Sequence, residues 1–348
     1  MTRDLPSLRR MLAVLALLGF ASCGPVPDTR TRDTDLLPPQ VQSVTSLGPT
    51  EVAISFDEDA GLCTGKTRIT PDLAVSEVTG PSKTVILRGE QQAPGRLYSM
   101  EAEAQDAHGN SSSFVAQFYG YNDRVPRLLI NEFTPRGSGN HPDLVELKAL
   151  SAGNMGGVVL YLGSAGSFDA KLVFPPFEVT EGSFLVVHTR PSGDPGETDE
   201  TTDKAASKGF DASDTAFDFW LRDGRGLGGN NGVVCLFDRP GGTCLDGVLY
   251  SNRTSQSDEQ YGGFGSDAMR SRAEELVTCG AWKPAGARIT PEDGVNPEGS
   301  TGTRSLCRSS GSVDTDRPED WHIVPTRGAT FGAVNSDEVY KPVAETSP

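Results

Sequence analysis

Val52-Ala53-Ile54-Ser55-Phe56 decides the fold class. Val52, Ile54 and Phe56 alternate with smaller residues, which is the period-two pattern of a strand that buries one face. Working outward, residues 41–44, 84–87, 97–104 and 114–121 repeat short apolar runs of the same kind. Turn chemistry separates them: Pro94-Gly95 precedes Tyr98, and residues 106–110 precede the last run. The chain carries 40 Gly and 24 Pro scattered between such runs. That punctuation predicts an all-β protein rather than helices or disorder.

Pro38-Pro39-Gln40-Val41, Ile54-Ser55-Phe56-Asp57-Glu58 and the two turns resemble bacterial immunoglobulin-like and fibronectin-type modules. The resemblance implies one β-sandwich over residues 38–122, with a linker at 122–126. Beyond the linker, Leu-Leu-Ile-Asn-Glu-Phe at 128–133, Asp-Leu-Val-Glu-Leu at 143–147 and Leu-Tyr-Leu-Gly-Ser at 160–164 follow in order. Runs at 184–188, 217–223, 232–238 and 248–251 continue the series, and Ser305-Leu306-Cys307-Arg308, Asp314-Thr315-Asp316 and Asp320-Trp321 close it. These segments are similar to the lamin tail domain. The resemblance implies a second immunoglobulin-like sandwich over 126–335, of a kind found on bacterial surface or secreted proteins, with a flexible tail at 336–348.

Two segments exceed the sandwich plan, residues 192–213 and 261–303. Long loops on a rigid scaffold are where binding surfaces are built. Within the second, Met269, Ala273, Leu276 and Val277 recur at helical spacing behind Ser266 and Asp267, which predicts one short helix whose apolar face covers the core.

The first 22 residues read as an export signal: Arg3, Arg9 and Arg10 precede an apolar run at 11–20. Phe20-Ala21-Ser22-Cys23 then resembles the bacterial lipobox, which implies a lipid on Cys23 and a polar tether over 23–37. Gly24 in place of Asp implies delivery to the outer membrane. The remaining body of about 325 residues is long enough for two domains. Its partners are then the membrane, through the anchor, and a protein or glycan ligand at the cell envelope. A net charge of −16 argues against nucleic acid, whose phosphates it would repel.

Chemistry-bearing motifs are sparse. Gly224, Gly226 and Gly229 satisfy the spacing of a dinucleotide loop, but the apolar run from Gly232 to Phe237 reads as a strand where a helix is required. His108, His141, His188 and His322 are scattered, and His188 reads as a packed strand residue. Ser164 lacks the setting of a nucleophile elbow. Glu132 and Glu146 read as strand residues at the sheet surface. Asp314, Asp316, Glu319 and Asp320 crowd one turn and are the candidate Ca2+ ligands, though such residues also hydrogen-bond their own backbone. No other cofactor is expected.

Six cysteines occur, five of them beyond Cys23. Cys235 and Cys244 flank the turn at 239–242, so adjacent strands can bring them together, leaving Cys279 to pair with Cys307 and Cys63 alone. Local spacing is the support for that choice, and five thiols permit other pairings. The sequence therefore predicts a noncatalytic, lipid-anchored binding or adhesion module, with a structural envelope spacer as the alternative.

Overall fold

A computed structural model describes residues 35–342. Cys23, the signal at 1–22 and most of the tether lie outside the described residues.

The first domain contains β1 (Val41–Gly48), β2 (Glu51–Leu62), β3 (Arg68–Thr70), β4 (Val75–Val78), β5 (Ser82–Gly89), β6 (Leu97–Gln105) and β7 (Ser111–Tyr119). All pairings are antiparallel. Strand β2 pairs with β1 and β5 over its first half, then bends through an irregularity so that Gly61 and Leu62 pair with Gln105 and Ala104 of β6. One strand thus serves two sheets, β1-β2-β5-β4 and β3-β6-β7, and folds them over a shared core. Val52, Ile54 and Phe56 face into it as their alternation requires, against Val85, Leu87 and Met100. Tyr98 stacks on Phe118 with ring centroids 5.3 Å apart.

The second domain adds β8 (Leu128–Thr134), β9 (Leu144–Ala149), β10 (Gly153–Asn154), β11 (Val159–Gly163), β12 (Phe168–Val173), β13 (Glu178–Val179), β14 (Phe184–His188), β15 (Phe217–Trp220), β16 (Asn231–Phe237), β17 (Cys244–Ser251), α1 (Asp267–Thr278), β18 (Leu306–Arg308) and β19 (Trp321–Ile323). A four-stranded sheet, β12-β11-β16-β17, and a six-stranded sheet, β15-β14-β9-β8-β18-β19, enclose the main apolar core. Strands β10 and β13 form a separate short ladder. Phe133 anchors the core, 5.3 Å from the Tyr250 ring and 5.2 Å from Trp321. The architecture is an all-β sandwich with one α-helix among the described residues.

Strands β14 and β15 pair in parallel, Leu185 opposite Phe217. Parallel neighbours cannot be joined by a tight hairpin and need a long crossover. Residues 189–216 are that crossover, which gives the first long insertion its topological reason. The helix in the second insertion starts where expected: the Ser266 side chain accepts from Met269 N, and Met269, Ala273 and Leu276 are buried. It packs on β16 and β17. Gly247 permits this, because a Cβ there would lie 2.3 Å from Leu276 Cδ1.

The two domains meet at a tight junction. A Cβ on Gly95, in the Pro94-Gly95 turn, would fall 2.1 Å from the backbone of Gly156. Asn122 Nδ2 donates to Asn154 O and Gly156 O at 2.7 and 2.8 Å, and Arg124 pairs with Glu178. The expected flexible tail begins differently. Ser336 O accepts from His322 Nε2, Asp337 accepts from Ser310 N and Oγ, and Tyr340 N donates to Ile323 O, so the described part of 336–348 runs along the sandwich.

Candidate functional site

The site is built on the outer face of the six-stranded sheet. Alternation sends Phe133, Val145, Leu147, Leu185 and Val187 to the core, which leaves Glu132, Glu146 and His188 on the opposite side. A bulge between Ile130 and Glu132 lets Asn131 share that side. Sequence patterning makes this the solvent face. Glu132, Glu146, Asn131 and His188 are instead wholly buried, each at 0% exposure.

A strap of chain at 329–335 supplies the cover on one half. Thr330 donates from N and Oγ1 to the two Glu132 oxygens at 2.8 and 2.6 Å, and Ser305 Oγ donates to Glu132 as well. Glu146, in register with Glu132, accepts from Asn131 Nδ2 at 2.8 Å and from Gly332 N at 2.6 Å. Asn335 Nδ2 closes the strap onto Asn131 O and Arg308 O. Burial drives both carboxyls above the ordinary range. For Glu146 the negative charge of Glu132 adds to burial.

The crossover covers the other half. His188 Nε2 donates to Asp218 Oδ1 at 2.7 Å, and Trp220 stacks flat on the imidazole at 3.7 Å. Glu200 accepts from Asp218 N and Ser207 N, and Ser207 Oγ accepts the Trp220 indole N–H. His188 Nδ1 is buried without a hydrogen-bond partner. Residues 192–213 read as a free, solvated loop, yet Glu197, Glu200 and Ser207 are buried within them. Between the two polar halves lies a small apolar cluster of Leu144, Phe184, Val186 and Ala216, with Phe331 of the strap packed on it.

Where crossover and strap approach each other, a concavity of about 550 Å³ opens at the surface. Leu144 and Phe331 give it an apolar wall, Asp211 to Ser213 come from the crossover, and Gly302 and Thr303 from the end of the second insertion. His141 Nδ1 lies 3.0 Å from Asp211 Oδ1, which orients the ring at the rim. Arg327 stands opposite, exposed, with no carboxylate within ion-pair distance among the described residues. Such a hollow suits a partly apolar group that carries a hydrogen-bonding or anionic end.

The remaining candidates fall elsewhere. Asp314 and Asp320 are bound to the buried Arg308 at 2.9 and 3.3 Å, and Asp316 to Lys283 at 2.5 Å. Asp320 also accepts from Thr315 N and Oγ1. These carboxylates are engaged by cations and turns of the chain itself. Asp35, Asp106 and His108 bring three ligand atoms within 4.8 Å of one another in the first domain. Asp106 already accepts from His108 N, Asn110 N and Asn110 Nδ2. Gly226 lies beside the Asp143 carboxylate, which accepts from Leu227 N, and strand β16 follows the glycine loop.

The cysteines are arranged differently from the expected pairs. Cys307 lies on the outer sheet face, 3.6 Å from His322 Nε2 and 3.7 Å from Ser336 O. Cys279 sits at the end of α1 on the opposite sheet, its Sγ 3.2 Å from Leu276 O. All five described cysteines are thiols.

The family comparison falls on the same domain. A protein of Treponema pallidum (strain Nichols), described as uncharacterized, is 29% identical over 159 residues, covering 45% of this chain and 40% of its own length. The chain thus spans less than half of that relative. The crystal structure of dimeric latent PorU from Porphyromonas gingivalis aligns with 63% of this chain and 19% of its own, at 12% identity and a TM-score of 0.16. Residues 126–323, which hold both sheets, α1 and most of the concavity, match the family described as TP_1001_2nd, protein second domain, and the chain belongs to that family.

Proposed function

We propose that this chain is a lipid-anchored envelope protein whose second, lamin-tail-like domain acts as a noncatalytic binding module. The concavity carries the reading. It draws its walls from both insertions and from the strap, and so gathers at one place the segments that exceed a minimal sandwich. The acid and base groups beneath it, Glu132 with Glu146 and His188 with Asp218, are closed off from water and hold the sheet cover rather than meet a substrate. A ligand with an apolar body and an anionic or hydroxylated end, such as a glycan or a protein side chain, fits a hollow lined by Phe331, Arg327 and His141.

The test uses the full chain carrying Cys23→Ser, which removes the anchor, in a glycan and matrix-protein binding screen. Ala329→Trp fills the hollow from the strap and is expected to weaken a captured ligand at least roughly tenfold, as a hollow that buries most of its ligand requires. Circular dichroism checks that the variant is folded. Undiminished affinity in the folded variant overturns the site. The tight junction at Gly95 and Gly156 favours a second reading, a rigid envelope spacer, and a screen without hits would bring it forward.

A further inference from the structure

Three cysteines converge where α1 meets the β16–β17 hairpin. Cys235 lies opposite Gly247 in the ladder and Cys244 opposite Phe237, which puts both on the side of the hairpin that Leu276 of α1 covers. Cys279 caps the C-terminus of the helix, its Sγ 3.2 Å from Leu276 O. Cys244 and Cys279 are each half-buried and pack against the same core, whereas Cys235 is closed off. The Cys244 and Cys279 side chains interact directly, and the Cys244 thiol donates to Asp246 O at 3.6 Å.

We propose that Cys244 and Cys279 form a disulfide that clasps α1 to the hairpin, with Cys235 left as a buried thiol. Adjacent side chains on two packed elements, both reachable from solvent, are what the bond requires, and the pairing predicted from local spacing lacks the helix.

The chemistry follows from the two environments. Contact with Cys244 draws Cys279 down to about 7 against the effect of burial, while Cys244 is pushed up. Cys279 is therefore the attacking thiolate near neutral pH. It attacks one sulfur of an oxidant disulfide, a thiol–disulfide oxidoreductase or oxidised glutathione, and expels the other as a thiolate. Cys244 then loses its proton and attacks Cys279 Sγ, releasing the second thiolate. Two protein thiols are oxidised with loss of two electrons and two protons, and one oxidant disulfide becomes two thiols. Burial pushes Cys235 well above the ordinary thiol range, which keeps it out of the exchange. The link draws on export to an oxidising compartment and not on the binding reading, and oxidation in vitro tests it apart from both.

The full chain with Cys23→Ser is equilibrated with oxidised glutathione, alkylated and digested with trypsin and an Asp-specific protease without reduction. This separates Cys235 in peptide 226–237, Cys244 in 238–245 and Cys279 in 273–288. A 238–245 to 273–288 cross-link, kept in Cys235→Ser and absent in Cys244→Ser, is the expected result. Reduction should lower the Tm by about 5–10 °C in the oxidised protein and leave Cys244→Ser unmoved. A 226–237 to 238–245 link, a 226–237 to 273–288 link, or complete alkylation of Cys244 and Cys279 overturns the proposal.

Discussion

The two faces of the six-stranded sheet are both dry, and they are dried by different means. The inner face does it with Ile130, Phe133, Val145 and Leu147 against a second sheet. The outer face does it with Asn131, Glu132, Glu146, His188 and Asp218, which lie under the strap and the crossover and are hydrogen-bonded apart from His188 Nδ1. The lesson is that burial and apolarity are separable. An apolar face specifies only that it be covered, whereas a hydrogen-bonded carboxylate specifies which backbone N–H must cover it.

Breaking the inner face should cost most. Phe133→Ala removes a fully buried ring between Tyr250 and Trp321, and a loss of about 3–5 kcal/mol in urea unfolding is expected. Arg308→Leu comes next. Arg308 is buried inside the sandwich, with Nη2 3.3 Å from Asp246, and its removal strands that carboxylate. Burial raises Asp246 to about 7 despite the guanidinium. At pH 8 the loss should be about 3 kcal/mol, and it should shrink at pH 5, where Asp246 takes up a proton. A loss equal at both pH values would show that packing of the Arg stem, not charge, is what matters.

The outer face is sharpened by pH. An unfolded Glu titrates near 4.3, whereas Glu132 and Glu146 titrate higher in the folded chain. Between those values the folded state holds a proton that the unfolded state has released, so stability falls as pH rises through the window. Glu146→Gln removes the mutual repulsion and should flatten that fall, gaining about 1–2 kcal/mol at pH 8 over the wild type. An unchanged slope of Tm against pH would refute the repulsion between the two carboxyls. The smallest effect is expected from Phe331→Ala, a half-buried ring on a small cluster, at about 1 kcal/mol. Its signature is local: faster amide exchange at 329–335 with β8 and β9 unchanged.

Much of this was legible in the chain. The strand at Val52, Ile54 and Phe56 and the helix behind Ser266 follow from short-range pattern, because spacing and caps act within a few residues. Glu132 and Glu146 were not legible as buried groups. Period two fixes which side of the sheet a residue faces and is silent on what lies beyond that side. Their cover comes from Thr330 and Gly332, 198 and 186 positions away, and neither residue carries a mark that announces it. The crossover failed for a related reason: its length was plain, but the parallel pairing of β14 and β15 that requires it is a property of three dimensions. Cys244 and Cys279 were singled out and given other partners, since α1 supplies the contact and sequence distance does not.

The strap also sets an order of events. Asn335 meets Asn131 across 204 positions, so β8 and β9 must wait, polar face open, until nearly all of the described chain is available. The first domain has its seven strands complete by Tyr119 and can condense while the rest is still emerging. The second cannot, and its contacts of long sequence separation make it the slow step. A chain cut short before Thr330 would keep every apolar strand of the sandwich and leave Glu132 with Ser305 and Glu146 with Asn131 as their partners among the described residues. The strap thus seals the polar face with backbone donors that hydrophobic collapse alone does not supply.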